Sequence, residues 1–425
     1  MTSPQTDHLT IPTELVHQIV SDVFSLKKRD YMNTCALLCK QWHEVTLKYT
    51  VRRVGFVLYD EDDLNFFRRV IELRPWLAPF VREAVFKFER EADDERWKNS
   101  AHLVLVLHAL PALAPQLQAL IFDGAHCRYH WSCNSVVPHL RALTSLTSLK
   151  FQSCSLRLTD LKMFLRTFPN LRHFDVSATV LTGDSKVPVT LDEMPTLSSL
   201  RLILKDPSSM QTVPTVPFKI FQFVTGSLAV KGVSCLSLHA HLDQNGGIMD
   251  GVVGHIISKL GPSMKYFRWL GAAPDDWPIK LEFTFRRSGI DFSSNTQLRT
   301  VVIAGLNEAY DTVGGTHLAR ALNSIRPGLL RRLMLWLPTL NEPKQNEVLP
   351  SYATLLSQPR FQSLVKVYFI RAGYQSDPPL QRRNETVQQI FAEVVSRGVE
   401  VRVVEQHDAQ EVGDQWELET VAEDN

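Results

Sequence analysis

Charge imbalance is the first thing this chain lacks. Its 46 Lys and Arg stand against 45 Asp and Glu, a formal net charge of +1. No bulk field therefore draws it to nucleic acid or to an anionic membrane. Long apolar runs are missing too: the longest, Ala101 to Ala114, is interrupted by His108 and Pro111, and it falls short of the roughly 20 residues a spanning helix needs. The opening MTSPQTDHLT has no basic region followed by an apolar stretch, so no secretory signal is expected. Six cysteines in 425 residues, several inside apolar patterns, suit free thiols in a reducing compartment better than a disulfide framework. A soluble protein of the cytoplasm or nucleus is expected, with no membrane partner.

Signatures of catalysis are also sparse. Gly246-Gly247 and Gly314-Gly315 lack the further glycines and the Lys-Ser/Thr that cradle phosphates, and there is no Gly-x-Ser-x-Gly elbow. The runs Glu61-Asp62-Asp63 and Asp93-Asp94-Glu95 precede apolar helical patterns, where carboxylates favour the positive helix N-terminus. Cys35, Cys39 and His43 share a helical face without a fourth ligand, which makes packing the better explanation. His126, Cys127, His130 and Cys133 match no paired Cys-x-x-Cys spacing, and His239-x-His241 with Asp243 needs only a loop or surface role. No enzyme, cofactor or metal centre is expected.

What is present begins at Ile11. Pro12 suits a first helical position, since its missing N–H would have no intrahelical acceptor. Leu15, Val16, Ile19, Val20 and Val23 then trace an apolar stripe, with Glu14, His17 and Asp22 elsewhere. After Lys27-Lys28-Arg29, Asp30 is a plausible N-cap for a second helix carrying Cys35, Leu38, Cys39, Trp42 and Val45 on one face. Two short helices with this much apolar surface imply a partner.

Ile11-Pro12 with Glu14-Leu15, the Ile19 region, and Cys35-x-Leu37-Leu38-Cys39-Lys40-x-Trp42 together resemble the F-box, the adaptor-binding module of Skp-cullin-F-box ubiquitin ligases, in the form abundant in fungi. Ile replaces Leu before Pro12, and Tyr31-Met32 stands where an acidic-Leu pair is commoner. The resemblance covers about the first fifty residues. It implies a Skp-type adaptor, and through it a cullin, as partners, with Ile11, Pro12, Leu15, Ile19, Leu38, Lys40 and Trp42 as adaptor-binding residues. The other reading of these helices is a simple cap on a larger core.

Repetition organises the chain after Thr50. Leu146-x-x-Leu149-x-Phe151-x-x-Cys154 fits the leucine-rich-repeat template. The same three apolar positions recur as Leu117/Leu120/Phe122, Leu171/Phe174/Val176, Leu197/Leu200/Leu202, Val233/Leu236/Leu238, Met264/Phe267/Trp269, Leu298/Val301/Ile303, Leu330/Leu333/Leu335 and Leu364/Val367/Phe369, with weaker copies from Val51 and Val81. First positions are 25 to 36 residues apart, room for a helix that crosses back to the next parallel strand. Leu158–Phe168 and Asn384–Arg397, the latter with Asn384 as N-cap, read as such helices, and Val399, Val401 and Val403 as a last strand. The expectation is an α/β chain: a small N-terminal helical F-box over 1–50, then a degenerate leucine-rich-repeat solenoid with a curved parallel sheet over 51–404. Residues 405–425, acidic and without Lys or Arg, read as a mobile tail in which Trp416 could be a docking element.

On the expected concave face, the early units offer small polar residues, while later ones offer Tyr266, Arg268, Arg332, Trp336, Lys366 and Tyr368. Trp, Tyr and Arg dominate interface energetics, so these six are the candidate substrate-binding residues, unless helices or loops cover the face. The function expected is a non-catalytic substrate receptor of a Skp-cullin-F-box ligase, presenting an unidentified protein. The alternative is a repeat scaffold with a helical cap and no ligase role.

Overall fold

The computed structural model describes residues 11–25, 29–57, 61–88, 100–125, 133–182, 195–204, 232–240, 247–271, 290–304, 315–336, 345–371 and 380–422. The chain is α/β, with an open twelve-strand parallel sheet whose strands follow chain order. It divides into two compact units, Met1–Leu149 and Lys150–Asn425.

The first unit opens with α1 (Thr13–Ser25), α2 (Arg29–Leu38) and α3 (Lys40–Thr50). The second helix expected from the sequence is thus two. Cys39, at φ −166° and ψ 174°, is extended and breaks the run, and Asp30 lies inside α2 rather than capping it. Val16, Val20, Met32, Cys35, Trp42 and Val45 form a shared core, with Val23, Phe24 and Tyr49 against it. Gln41 Nε2 donates to Thr13 Oγ1 at 2.7 Å, and the Phe24 and Tyr49 rings meet at 5.9 Å. These contacts step the same way along α1 and α3, so the two helices run side by side in one direction. Next come β1 (Arg53–Val57), β2 (Glu83–Lys87) and β3 (Ala119–Asp123), paired in parallel so that Phe56, Phe86 and Phe122 fall in one row. Their rings stack at 5.7 and 5.3 Å, an apolar spine beneath the returning helices Glu61–Leu73 and Ser100–Leu113.

β4 (Ser148–Gln152) spans the division. In the second unit β5 (Ser155–Arg157) pairs with β6 (His173–Thr182). β6 is followed in spatial order by β7 (Ser199–Leu204), β8 (Cys235–Ala240), β9 (Tyr266–Gly271), β10 (Thr300–Ala304), β11 (Arg332–Trp336), β12 (Lys366–Arg371) and β13 (Glu400–Glu405), each parallel to the last. The apolar triads from Leu171/Phe174/Val176 to Leu364/Val367/Phe369 are all buried. One device recurs at strand entries, where a single carbonyl accepts two successive N–H groups from the following unit. Ser198 receives Ser234 and Cys235, Ser234 receives Lys265 and Tyr266, and Arg299 receives Arg331 and Arg332. Crossing helices include Leu158–Thr167, Gly247–Leu260 and Gln345–Leu356. The helix expected over Asn384–Arg397 is instead Leu380–Ile390 followed by Ala392–Ser396. Asn384 lies within the first of these and is no N-cap; its Oδ1 accepts the Val403 N–H at 2.6 Å, tying the helix to β13.

The largest departure lies at the C-terminus. The segment expected as a mobile acidic tail forms a helix over Gln406–Ala422, directly after β13. Ala409 and Trp416 are buried with Val412 packed beside them, a spacing of three and four residues that gives one narrow apolar stripe.

Candidate functional site

Two surfaces carry the sequence-predicted residues, one in each unit. On the first, the stripe of α1 divides. Val16 and Val20 face the helical core, whereas Leu15 and Ile19, one residue back in each case, face outward at 53% and 41% exposure. Ile11 is exposed just before α1, and Leu37 and Leu38 are exposed at the end of α2, Leu37 at 85%. The Gln41–Thr13 hydrogen bond sets the start of α1 beside the α2–α3 junction, so these apolar side chains belong to one neighbourhood. Burying them inside the unit is impossible once Val16, Val20, Cys35 and Trp42 have taken the core. Exposed apolar residues grouped in this way mark an interaction surface. Pro12 and Lys40 are exposed alongside. Trp42 is different: at 9% exposure it belongs to the core and acts on this surface by holding α3. Leu37, in the motif stretch but not among the residues expected to bind an adaptor, is exposed at this end of α2, and Tyr31 is exposed near its start.

On the second, parallel register lines up one face of the strands: Ser199, Cys235, Tyr266, Thr300, Arg332, Lys366 and Glu400 in one row, then Arg201, Ser237, Arg268, Val302, Met334, Tyr368 and Arg402 in the next. The C-terminal helix packs on this face. Trp416 meets the Tyr368 ring at 5.2 Å in a cluster with Cys235, Tyr266, Val302, Met334 and Ile370. Tyr266 donates its hydroxyl to the Gly413 carbonyl at 2.9 Å. Arg268, 1% exposed, pairs with Asp414 at 2.6 Å, and Arg201 pairs with the same carboxylate oxygen. Glycine at 413 permits this approach, since a Cβ there would lie 2.8 Å from the Arg268 guanidinium carbon. Glu417 accepts hydrogen bonds from Ser199 at 3.3 Å and Ser237 at 2.9 Å, and Arg332 pairs with Glu419 at 2.9 Å.

Two carboxylates three residues apart titrate in opposite directions. Burial pushes Glu417 above its ordinary value, outweighing Arg201 and the Ser237 hydrogen bond. Burial also opposes ionisation of Asp414, but the Arg201 and Arg268 guanidiniums more than offset it and hold its pKa down. Tyr368 is pushed up to about 12 by burial and by its hydrogen bond to Glu400.

Of the six candidate substrate-binding residues, Tyr266, Arg268, Arg332 and Tyr368 are therefore engaged by the chain's own C-terminal helix. Lys366 is half-buried in the same row, and the side chain of Trp336 lies outside the described residues. Sequence reasoning places Arg201 on this face without singling it out, and misses Gly413, Asp414, Glu417 and Glu419 as its partners. The spacing of Ala409, Val412 and Trp416 was a helical signal; the cations that hold the helix come from strands more than 70 residues upstream.

Among the metal candidates, Cys35 is buried and Cys39 exposed. His126, Cys127 and His130, His241 and Asp243, and the side chains of Cys133 and His239 lie outside the described residues. No group of three or more potential metal ligands occurs among the described residues, and no helix among them is long and apolar enough to cross a membrane. No family model and no curated protein matches the chain.

Proposed function

We propose that the chain is a substrate-recognition subunit of a Skp-cullin-F-box ubiquitin ligase, in which α1–α3 are the F-box and the strands and helices that follow form a degenerate leucine-rich-repeat domain. The observation that carries this reading is the division of α1. Val16 and Val20 complete the core of the helical module, while Leu15 and Ile19 stand outside it with Ile11, Leu37 and Leu38, on the motif that resembles the F-box. The repeat reading is supported by the buried triads and by the paired N–H groups recurring at strand entries.

In this role the protein needs no nucleophile. Holding a substrate beside an activated ubiquitin raises its effective concentration, and the conjugating machinery supplies the chemistry. Such a receptor would work in the cytoplasm or nucleus. The test is binding of the purified chain to a Skp-type adaptor, with Leu15→Asp and Leu38→Asp as the disrupting changes. Binding that these changes abolish supports the receptor; absence of binding by the folded wild type leaves a repeat scaffold with a helical cap.

A further inference from the structure

We propose that the sheet face beneath the C-terminal helix is a docking site for an acidic helical segment of a partner protein, one presenting Asp, Trp and Glu at the spacing of Asp414, Trp416 and Glu417, and that the chain's own helix occupies this site until displaced. The inference rests on the receptor reading only in making that partner a substrate.

The composition of the contact is that of an interface. The face contributes Tyr, Arg and two Ser hydroxyls around the apolar Cys235, Val302, Met334 and Ile370, and the helix answers with one Trp anchor and three carboxylates. Aromatic and Arg anchors characterise binding hot spots, and the carboxylates that pair with the Arg anchors, Asp414 and Glu419, stay partly exposed to water. Beyond Ala409, Val412 and Trp416 the helix offers little apolar surface, and Leu418, 70% exposed, points away. A helix of this length and polarity is marginal alone; the face holds it. The edge of the sheet is set before the helix begins, since β13 pairs with β12 along six residues.

Charge selects the occupant. Residues 406–422 contain five carboxylates and no Lys or Arg, set against Arg201, Arg268 and Arg332. A basic segment would meet like charge at each of these positions. Because the helix follows β13 without a linker, its effective concentration at the face is high, on the order of millimolar for a short tether. The free chain is therefore closed, and a partner segment competes only when locally concentrated.

The experiment uses a fluorescent peptide of sequence 406–422 and the full-length chain. Wild type should bind it weakly. A chain carrying Asp414→Ala and Trp416→Ala, its own helix loosened, should bind it on the order of 100-fold more tightly. A scrambled peptide should not bind, and adding Arg268→Ala to the loosened chain should remove the gain. A second full-length preparation, with a protease site placed between Glu405 and Gln406 and cut after folding, should release its helix to excess unlabelled peptide while keeping its β-sheet circular dichroism. Equal binding by wild type and the loosened chain, equal binding of the scrambled peptide, or unfolding of the cut chain overturns the proposal. Adaptor binding measured on the same samples separates the readings: its loss in wild type removes the receptor role and leaves the peptide result standing.

Discussion

At the residue scale, Glu417 and Asp414 carry opposite pH signatures. Asp414 is held below its ordinary value, so its contribution is present above the unfolded carboxylate pKa and is lost as pH falls through the folded value. Glu417 is raised. The folded state therefore binds more protons between the ordinary 4.5 and the folded value, and stability declines as pH rises across that window. Glu417→Gln should flatten this decline and leave the acid limb, while Asp414→Asn should remove the acid limb; urea unfolding between about pH 3 and pH 8 resolves the two. Packing gives a second contrast. Trp416→Ala should cost about 3 kcal/mol through the cavity left against Tyr368, whereas Leu418→Ala, on the outer side of the same helix, should change stability by less than about 0.5 kcal/mol. Denaturant midpoints at neutral pH decide both.

At the element scale, α1 has two apolar faces, one buried and one exposed. Val16→Asp should unfold the three-helix module by placing an unpaired charge in its core, lowering the melting temperature. Leu15→Asp should leave melting unchanged and act only on binding. This distinction was only half legible in the sequence. The periodicity located α1 but merged Leu15 and Ile19 with Val16 and Val20, because a stripe wide enough for two contacts reads as one wide core face. The break at Cys39 left no trace, since one extended residue inside a helix-compatible run changes no composition. Alternation was more informative: Leu149 and Phe151, or Leu333 and Leu335, read as strand positions and are buried in strands. The docking of the C-terminal helix was illegible for a physical reason, although the spacing of Ala409, Val412 and Trp416 signalled a helix. Its acidic residues look like a solvated tail until Arg201, Arg268 and Arg332, distant in sequence, are aligned on one face by strand register.

At the scale of the whole molecule, the two proposed surfaces predict two separable activities. Assembled with a Skp-type adaptor and cullin, the chain loosened by Asp414→Ala and Trp416→Ala is predicted to ubiquitinate a protein carrying the 406–422 sequence, and to fail when either Leu15→Asp or Arg268→Ala is added. Leu15→Asp should lose adaptor binding, while Arg268→Ala keeps it. The most direct measurement of the central claim is titration of the purified full-length chain with a Skp-type adaptor, in wild type and in a Leu15→Asp, Leu38→Asp variant of unchanged melting temperature. The account predicts tight wild-type binding and a loss of about 3 kcal/mol, more than 100-fold, in the variant. Folded wild type that does not bind, or a variant that binds equally well, would contradict it.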